Sequence, residues 1–172
     1  TTAWILLLPS RTETVGVACT KTPKRPDDVI GDGRMYYDGG EFGAAPTKGN
    51  LTKVEDLESY SGGTPQYVTV SRSVYDAYGR VTESYDAAGN KTTTEFTPAT
   101  GGPVTQVKTT NPLGYSETTW LRPEWGAMAA QQDANERRTD LAYDPLGRLT
   151  KVWLPGRTTS DPPNGEFAYL VR

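Results

Sequence analysis

The chain has 172 residues, the size of one domain, with 35% hydrophobic residues, 18 Gly, 13 Pro, 25 Thr, a single Cys and no His. Without His, Ser-His-Asp and Cys-His catalysis, His-ligated metals and histidine pH switches are excluded, and Cys19 alone makes neither an intrachain disulfide nor a Cys-rich zinc site. A net charge of −3 lacks the basic footprint of a nucleic-acid binder, and no apolar run approaches the ~20 residues of a membrane-spanning helix.

From the start of the chain, Thr2–Leu8 predicts a buried strand whose apolar run, Ala3-Trp4-Ile5-Leu6-Leu7-Leu8, is stopped by Pro9. Glu13–Thr20 predicts a second strand, with Cys19 as a buried, inert thiol. Lys21–Gly33, containing Pro23, Pro26, Gly31 and Gly33, reads as a loop, and Arg34–Tyr37 as a strand. Leu51–Tyr60 fits a strand or a short helix, since Leu51, Val54 and Leu57 sit at helical spacing; the β surroundings favour the strand. Ser61-Gly62-Gly63-Thr64-Pro65 reads as a loop and an internal boundary. It divides an N-terminal β segment, 1–60, from a repeat region at 67–156, with 61–66 as linker and 157–172 as a closing loop and strand.

Within the repeat region the period is two. In Tyr67–Tyr75, Val68, Val70 and Val74 alternate with Tyr67, Thr69, Ser71, Ser73 and Tyr75. Val81 and Tyr85 share a face of Arg80–Tyr85, and Thr139, Leu141 and Tyr143 alternate with Arg138, Asp140 and Ala142. Asn90–Phe96 and Tyr115–Trp120 are nearly all polar, so their inner face would be Thr and ring atoms, a thin wall. Glu124–Asn135, with four alanines, is the other candidate helix. A Pro/Gly loop at Gly156–Gly165 precedes a last strand, Glu166–Arg172. The fold class expected is all-β, an extended antiparallel sheet of hairpin repeats, part of a curved shell.

One motif recurs. It reads Tyr75-Asp76-Ala77-Tyr78-Gly79-Arg80, Tyr85-Asp86-Ala87-Ala88-Gly89-Asn90 and Tyr143-Asp144-Pro145-Leu146-Gly147-Arg148. Two looser copies are Asn111-Pro112-Leu113-Gly114 and Asp133-Ala134-Asn135-Glu136; Tyr36-Tyr37-Asp38-Gly39-Gly40 is a more divergent one. The fourth positions, 79, 89, 114, 136 and 147, are spaced by 10, 25, 22 and 11 residues, near one or two units of about 11. Asp or Asn at the first position of a type I turn can bond its side chain to the backbone two residues on, Pro suits the second, and Gly accepts the positive φ of the fourth. Tyr ends the incoming strand and Arg80 or Arg148 begins the outgoing one.

These Tyr-Asp-x-x-Gly-Arg units resemble the YD repeats of Rhs proteins, which also occur in toxin-complex components and teneurins. The resemblance covers 67–156 best, and Asp133-Ala134-Asn135-Glu136 followed by Tyr143-Asp144-Pro145-Leu146-Gly147-Arg148-Leu149-Thr150-Lys151 looks typical of the bacterial branch. Residues 34–60 look like the segment that precedes such repeats in secreted Rhs proteins. The resemblance implies a β-sheet ribbon spiralling into a hollow shell around a toxin, in a chain that is secreted or displayed at the cell surface. Its partners would be the remainder of the same chain or neighbouring chains, and a toxin cargo. No residue matches the family's autocleaving carboxylate motif.

Other chemistries compete for the same residues. Asp76, Asp86, Asp133 and Asp144 suggest calcium, but each motif offers one carboxylate rather than a dense ligand loop, so turn capping is the better reading and no metal or cofactor is expected. Trp120, Trp125 and Trp153 are candidates for sugar stacking, which would make the chain a cell-surface carbohydrate-binding or adhesion module; aromatics in a β wall also pack across strands. Arg80, Arg137, Arg138 and Arg148 could form a patch, though solvated pairing with the 21 acidic residues is the simpler account. An acid pair for glycoside hydrolysis, from Glu55, Asp56 or Glu58, is the catalytic scheme that the composition leaves open. No enzyme activity is expected.

Overall fold

The computed structural model describes residues 5–170 and is all-β, with twelve strands and no helix among the described residues. The chain divides into two compact units, Thr1–Lys91 and Thr92–Arg172. In the first, β1 (Arg11–Val15), β2 (Val29–Tyr37), β3 (Leu51–Ser61), β4 (Thr64–Tyr75) and β5 (Val81–Tyr85) pair antiparallel in chain order. In the second, β6 (Lys91–Thr97), β7 (Gln106–Thr110), β8 (Ser116–Arg122), β9 (Ala127–Gln132), β10 (Arg138–Tyr143), β11 (Leu149–Trp153) and β12 (Gly165–Glu166) do the same. Sequence neighbours can pair this way because an antiparallel return needs only a tight turn. Among the described residues no helix is long and apolar enough to cross a membrane.

Several elements differ from the sequence expectation. The strand expected over Thr2–Leu8 lies partly outside the described residues; from residue 5 onward the run is not a strand. Leu7 has φ 64° and is 98% exposed. Among the described residues strand pairing starts at Arg11, which faces Arg34. Pro9, which follows the run, lies beside the end of β2, where the Tyr37 hydroxyl donates to its carbonyl at 2.9 Å. The strand expected over Glu13–Thr20 ends at Val15, and Cys19 is exposed in the turn that follows, not buried. The expected loop Lys21–Gly33 ends five residues early: Gly31 and Gly33 belong to β2, opposite Thr14 and Thr12.

Residues 51–60 are strand. The loop expected at 61–66 is reduced to a two-residue hairpin turn, Gly62-Gly63, with φ 58° and 81°, and the residues on either side are paired. Only glycine adopts that pair of angles without strain, and such turns match strand twist. The candidate helix at Glu124–Asn135 is β9 instead. Ala130, 1% exposed, stands between Trp120 and Asp140 in the register. A small side chain fits beside an indole there, and that packing overrides alanine's helix preference. β7 was not foreseen, and the strand expected at Glu166–Arg172 is only Gly165–Glu166, with residues 171–172 outside the described ones.

The core is thin. Among the described residues the buried hydrophobic side chains are Tyr36, Ala130 and Trp153, and Asp32 is buried with them. In β4 the valine face is the more open one, with Val68 41% and Val74 45% exposed, while Tyr67, Thr69, Ser71, Ser73 and Tyr75 are half-buried. Tyr67 turns that face inward by donating from its hydroxyl to Asp32.

Candidate functional site

The five repeat corners share one hydrogen-bond pattern. At Asp76 the backbone N–H donates to Arg80 O at 2.9 Å and Gly79 N donates back to Asp76 O at 3.2 Å. The Asp76 Oδ1 accepts Tyr78 N at 2.9 Å and Arg80 N at 3.0 Å. Asp86 repeats this with Asn90 and Ala88, Asp144 with Arg148 and Leu146, and Asp133 with Arg137 and Asn135, all between 2.8 and 3.2 Å. Asn111 does the same through its amide oxygen, accepting Leu113 N and Tyr115 N at 3.0 Å. One side-chain oxygen therefore holds two N–H groups that the turn would otherwise leave to water. The fourth residue is left-handed each time: Gly79, Gly89, Gly114 and Gly147 at φ 76° to 83°, and Glu136 at 61°.

The flanking residues close the corner. Arg80 Nε donates to Asp76 Oδ2 at 2.6 Å, and Arg148 Nε to Asp144 Oδ2 at 2.7 Å; Asn90 Nδ2 plays the part at 2.8 Å from Asp86. Burial pushes the Asp76 carboxyl up, but Arg80 and the Tyr78 N–H outweigh it and hold it below the usual carboxylate range. Asp144 is held low by the Arg148 N–H first, against burial, and Asp86 by the Asn90 amide. These oxygens are already engaged by the chain itself. Among the described residues no group of three or more Cys, Asp or Glu is placed to hold a metal.

The tyrosines do more than end strands. Tyr75 OH donates to Leu51 O at 2.8 Å, and Tyr143 OH to Met128 O at 2.7 Å. Each pins the end of its strand to the start of the strand before it, and Tyr37 likewise reaches Pro9, two residues ahead of β1. Each also sits at a register shift, between residues 36 and 37, 74 and 75, and 142 and 143. The bulge frees the side chain to reach across. Tyr85 departs from the pattern, its hydroxyl going to Glu83 Oε2 at 2.5 Å. The usable signal was in the sequence: Tyr, not Phe, precedes Asp in every full copy.

Asp38 is a sixth corner with a loop inserted. Its N–H donates to Asn50 O at 2.8 Å, the same closing bond with residues 39–49 in between. Its carboxylate accepts the backbone N–H groups of Thr47, Lys48, Gly49 and Asn50 at 2.7 to 3.0 Å. Burial opposes ionisation, and those four donors override it, holding the carboxyl well below its ordinary value.

The first unit also carries a charged ladder that sequence pattern did not reveal. Arg11 forks onto Asp32 through Nε and Nη2, both at 2.7 Å, and the Asp32 side chain is fully buried. Tyr67 and Tyr36 donate to Asp32 and Glu55. Lys53 pairs with Glu55 at 2.7 Å and lies 3.7 Å from the Tyr36 ring centre. Arg34 lies 3.6 Å over Tyr67 and 4.6 Å over Phe42. Glu55 is therefore committed to two partners, which leaves it poorly placed as half of an acid pair.

The three candidate tryptophans, Trp120, Trp125 and Trp153, are not brought together. Trp153 is 6% exposed and its indole N–H donates to Asp161 O at 2.8 Å, so its face is not offered to solvent. Trp120 in β8 carries Arg138 4.4 Å over its ring. Trp125, in the turn between β8 and β9, is 47% exposed and tilts against Tyr143 with 6.4 Å between ring centres. A methyl group added to Gly147 would stand 3.5 Å from that indole. No protein-family model matches the chain, and no curated protein matches it.

Proposed function

We propose that the chain is a non-catalytic wall segment of a secreted, Rhs-type YD-repeat shell, one that encloses a toxin and helps to deliver it. The observation that supports this reading is the shared geometry of the corners from Asp76 to Asp144: one device, used five times, turns strand after strand. The carboxylates serve their own backbone instead of a ligand. The thin core fits the same role, because a wall covered on one side by neighbours or cargo needs little hydrocarbon of its own. Ile30 at 71%, Leu113 at 78% and Leu146 at 72% exposure are apolar surface that such neighbours would cover.

A cell-surface glycan-binding or adhesion module is the second reading, and the half-exposed face of Trp125 favours it. Sedimentation over a range of concentrations, together with a glycan array, tests both. A wall piece associates as concentration rises and binds no glycan through Trp125. A chain that stays monomeric at every concentration overturns the wall reading; if it binds glycans and Trp125→Ala abolishes that binding, the second reading takes its place.

A further inference from the structure

A groove of about 800 Å³ opens in the second unit between the corner at Asp133 and the loop after β11. Its lining includes Glu136, Arg137, Arg138, Asp140 and Arg157. Its volume lies within the ~300–1,000 Å³ of small-molecule sites. The charges in it are arranged, not merely collected. Arg138 is neutralised in place: its Nη2 reaches Asp140 Oδ1 at 2.8 Å and its Nε reaches Oδ2 at 3.0 Å, with Trp120 beneath. The backbone of Arg137 is set by the corner, since its N–H is held by Asp133 Oδ1 at 2.9 Å and its carbonyl accepts Asp133 N at 3.0 Å, and its side chain is exposed. Arg157 is set by its own loop, where Nη1 donates to Pro162 O at 2.7 Å and the backbone N–H to Leu154 O at 3.1 Å.

Among the described residues neither Arg137 nor Arg157 forms an ion pair. Asp161, which feels the Arg157 charge, is taken by the Thr158 N–H and hydroxyl at 2.7 and 2.9 Å. Once Arg138 and Asp140 are set against each other, two guanidiniums and the carboxylate of Glu136 remain. A guanidinium's fork of N–H donors matches the oxygens of a carboxylate or a phosphate.

We propose that this groove binds a small acidic ligand, with a carboxylate or phosphate group held between Arg137 and Arg157. The whole chain is titrated calorimetrically with pyrophosphate, with a galacturonic acid trisaccharide and with neutral maltotriose. Binding of an acidic probe and not of maltotriose is expected, weakened by added salt as an interaction between exposed charges must be. Pyrophosphate alone or the acidic sugar alone identifies the source of the oxyanion.

Arg137→Gln and Arg157→Gln each lower affinity roughly tenfold or more, the loss expected of a charge-assisted hydrogen bond. Glu136→Gln, which removes the competing carboxylate, raises it, and Arg122→Gln, outside the groove, leaves it unchanged. Failure of both acidic probes to bind overturns the proposal. So does binding that survives the Arg137→Gln, Arg157→Gln double substitution in a variant with an unchanged circular dichroism spectrum. None of these readouts depends on self-association, so this proposal and the wall reading fail separately.

Discussion

The two units use the same corners but different walls. In the first, the inward side chains are charged or phenolic: Arg11, Asp32 and Tyr67 form one hydrogen-bonded group and Tyr36, Glu55 and Lys53 another, while Arg34 lies over the Tyr67 ring with its buried Nε left without a hydrogen-bond partner. In the second, threonines face threonines, as Thr93 does Thr110 and Thr94 does Thr109, and the packing is anchored on Ala130 and Trp153. The turn is set by a few residues talking to their own backbone. It therefore tolerates either wall, and what fills the face between corners can change without disturbing the fold-back.

Substitution separates the two solutions. Trp153→Ala removes the largest buried ring and its indole bond, and should cost about 3–5 kcal/mol. Asp32→Ala should cost less, about 2–3 kcal/mol, because the abandoned Arg11 is half-exposed and can turn to water. Urea unfolding followed by circular dichroism measures both, and amide exchange shows where the damage falls. If Asp32→Leu is as stable as the parent chain, the charged ladder is there for specificity and adds no stability.

Acid should distinguish the units next. Asp32, Asp38, Asp76 and Asp86 in the first unit, and Asp144 and Asp161 in the second, are all held below the usual carboxylate range. A depressed folded value means that the stabilisation is complete above the unfolded pKa, about 4, and is lost as pH falls through the folded values. The thermal midpoint should hold steady from neutral pH to about 5 and then drop, with amide protection failing first in residues 5–91. Equal loss in both units would erase the distinction.

The smallest effect is a gain. Glu136 occupies a left-handed position that glycine fills in the other four corners. Glu136→Gly should stabilise by about 0.5–1 kcal/mol, relief of backbone strain less the entropy glycine loses on folding. A lower urea midpoint would mean that the Asp133 corner is held differently from its siblings.

The corners were legible in the sequence because their chemistry is local. Asp144 meets Leu146 and Arg148 within five residues, so spacing alone specifies the bonds. Strand periodicity was legible for the same reason, since alternation is written residue by residue. What escaped was long-range. Nothing near Tyr75 or Tyr143 announces a carbonyl 24 or 15 residues earlier. The alanines of β9 read as helix until Trp120 stands beside them. Asp32 looks like any loop carboxylate until Arg11 and Tyr67 arrive from other strands.

By itself, then, the sequence determined where the capped corners turn and that the chain is built mainly of strands, because a capped turn and a period of two cost only nearby contacts. Tertiary structure alone decided which face of each strand is covered, which tryptophan is buried and which arginines are left with donors to spare. Those outcomes depend on register between strands, and register joins residues that are strangers along the chain.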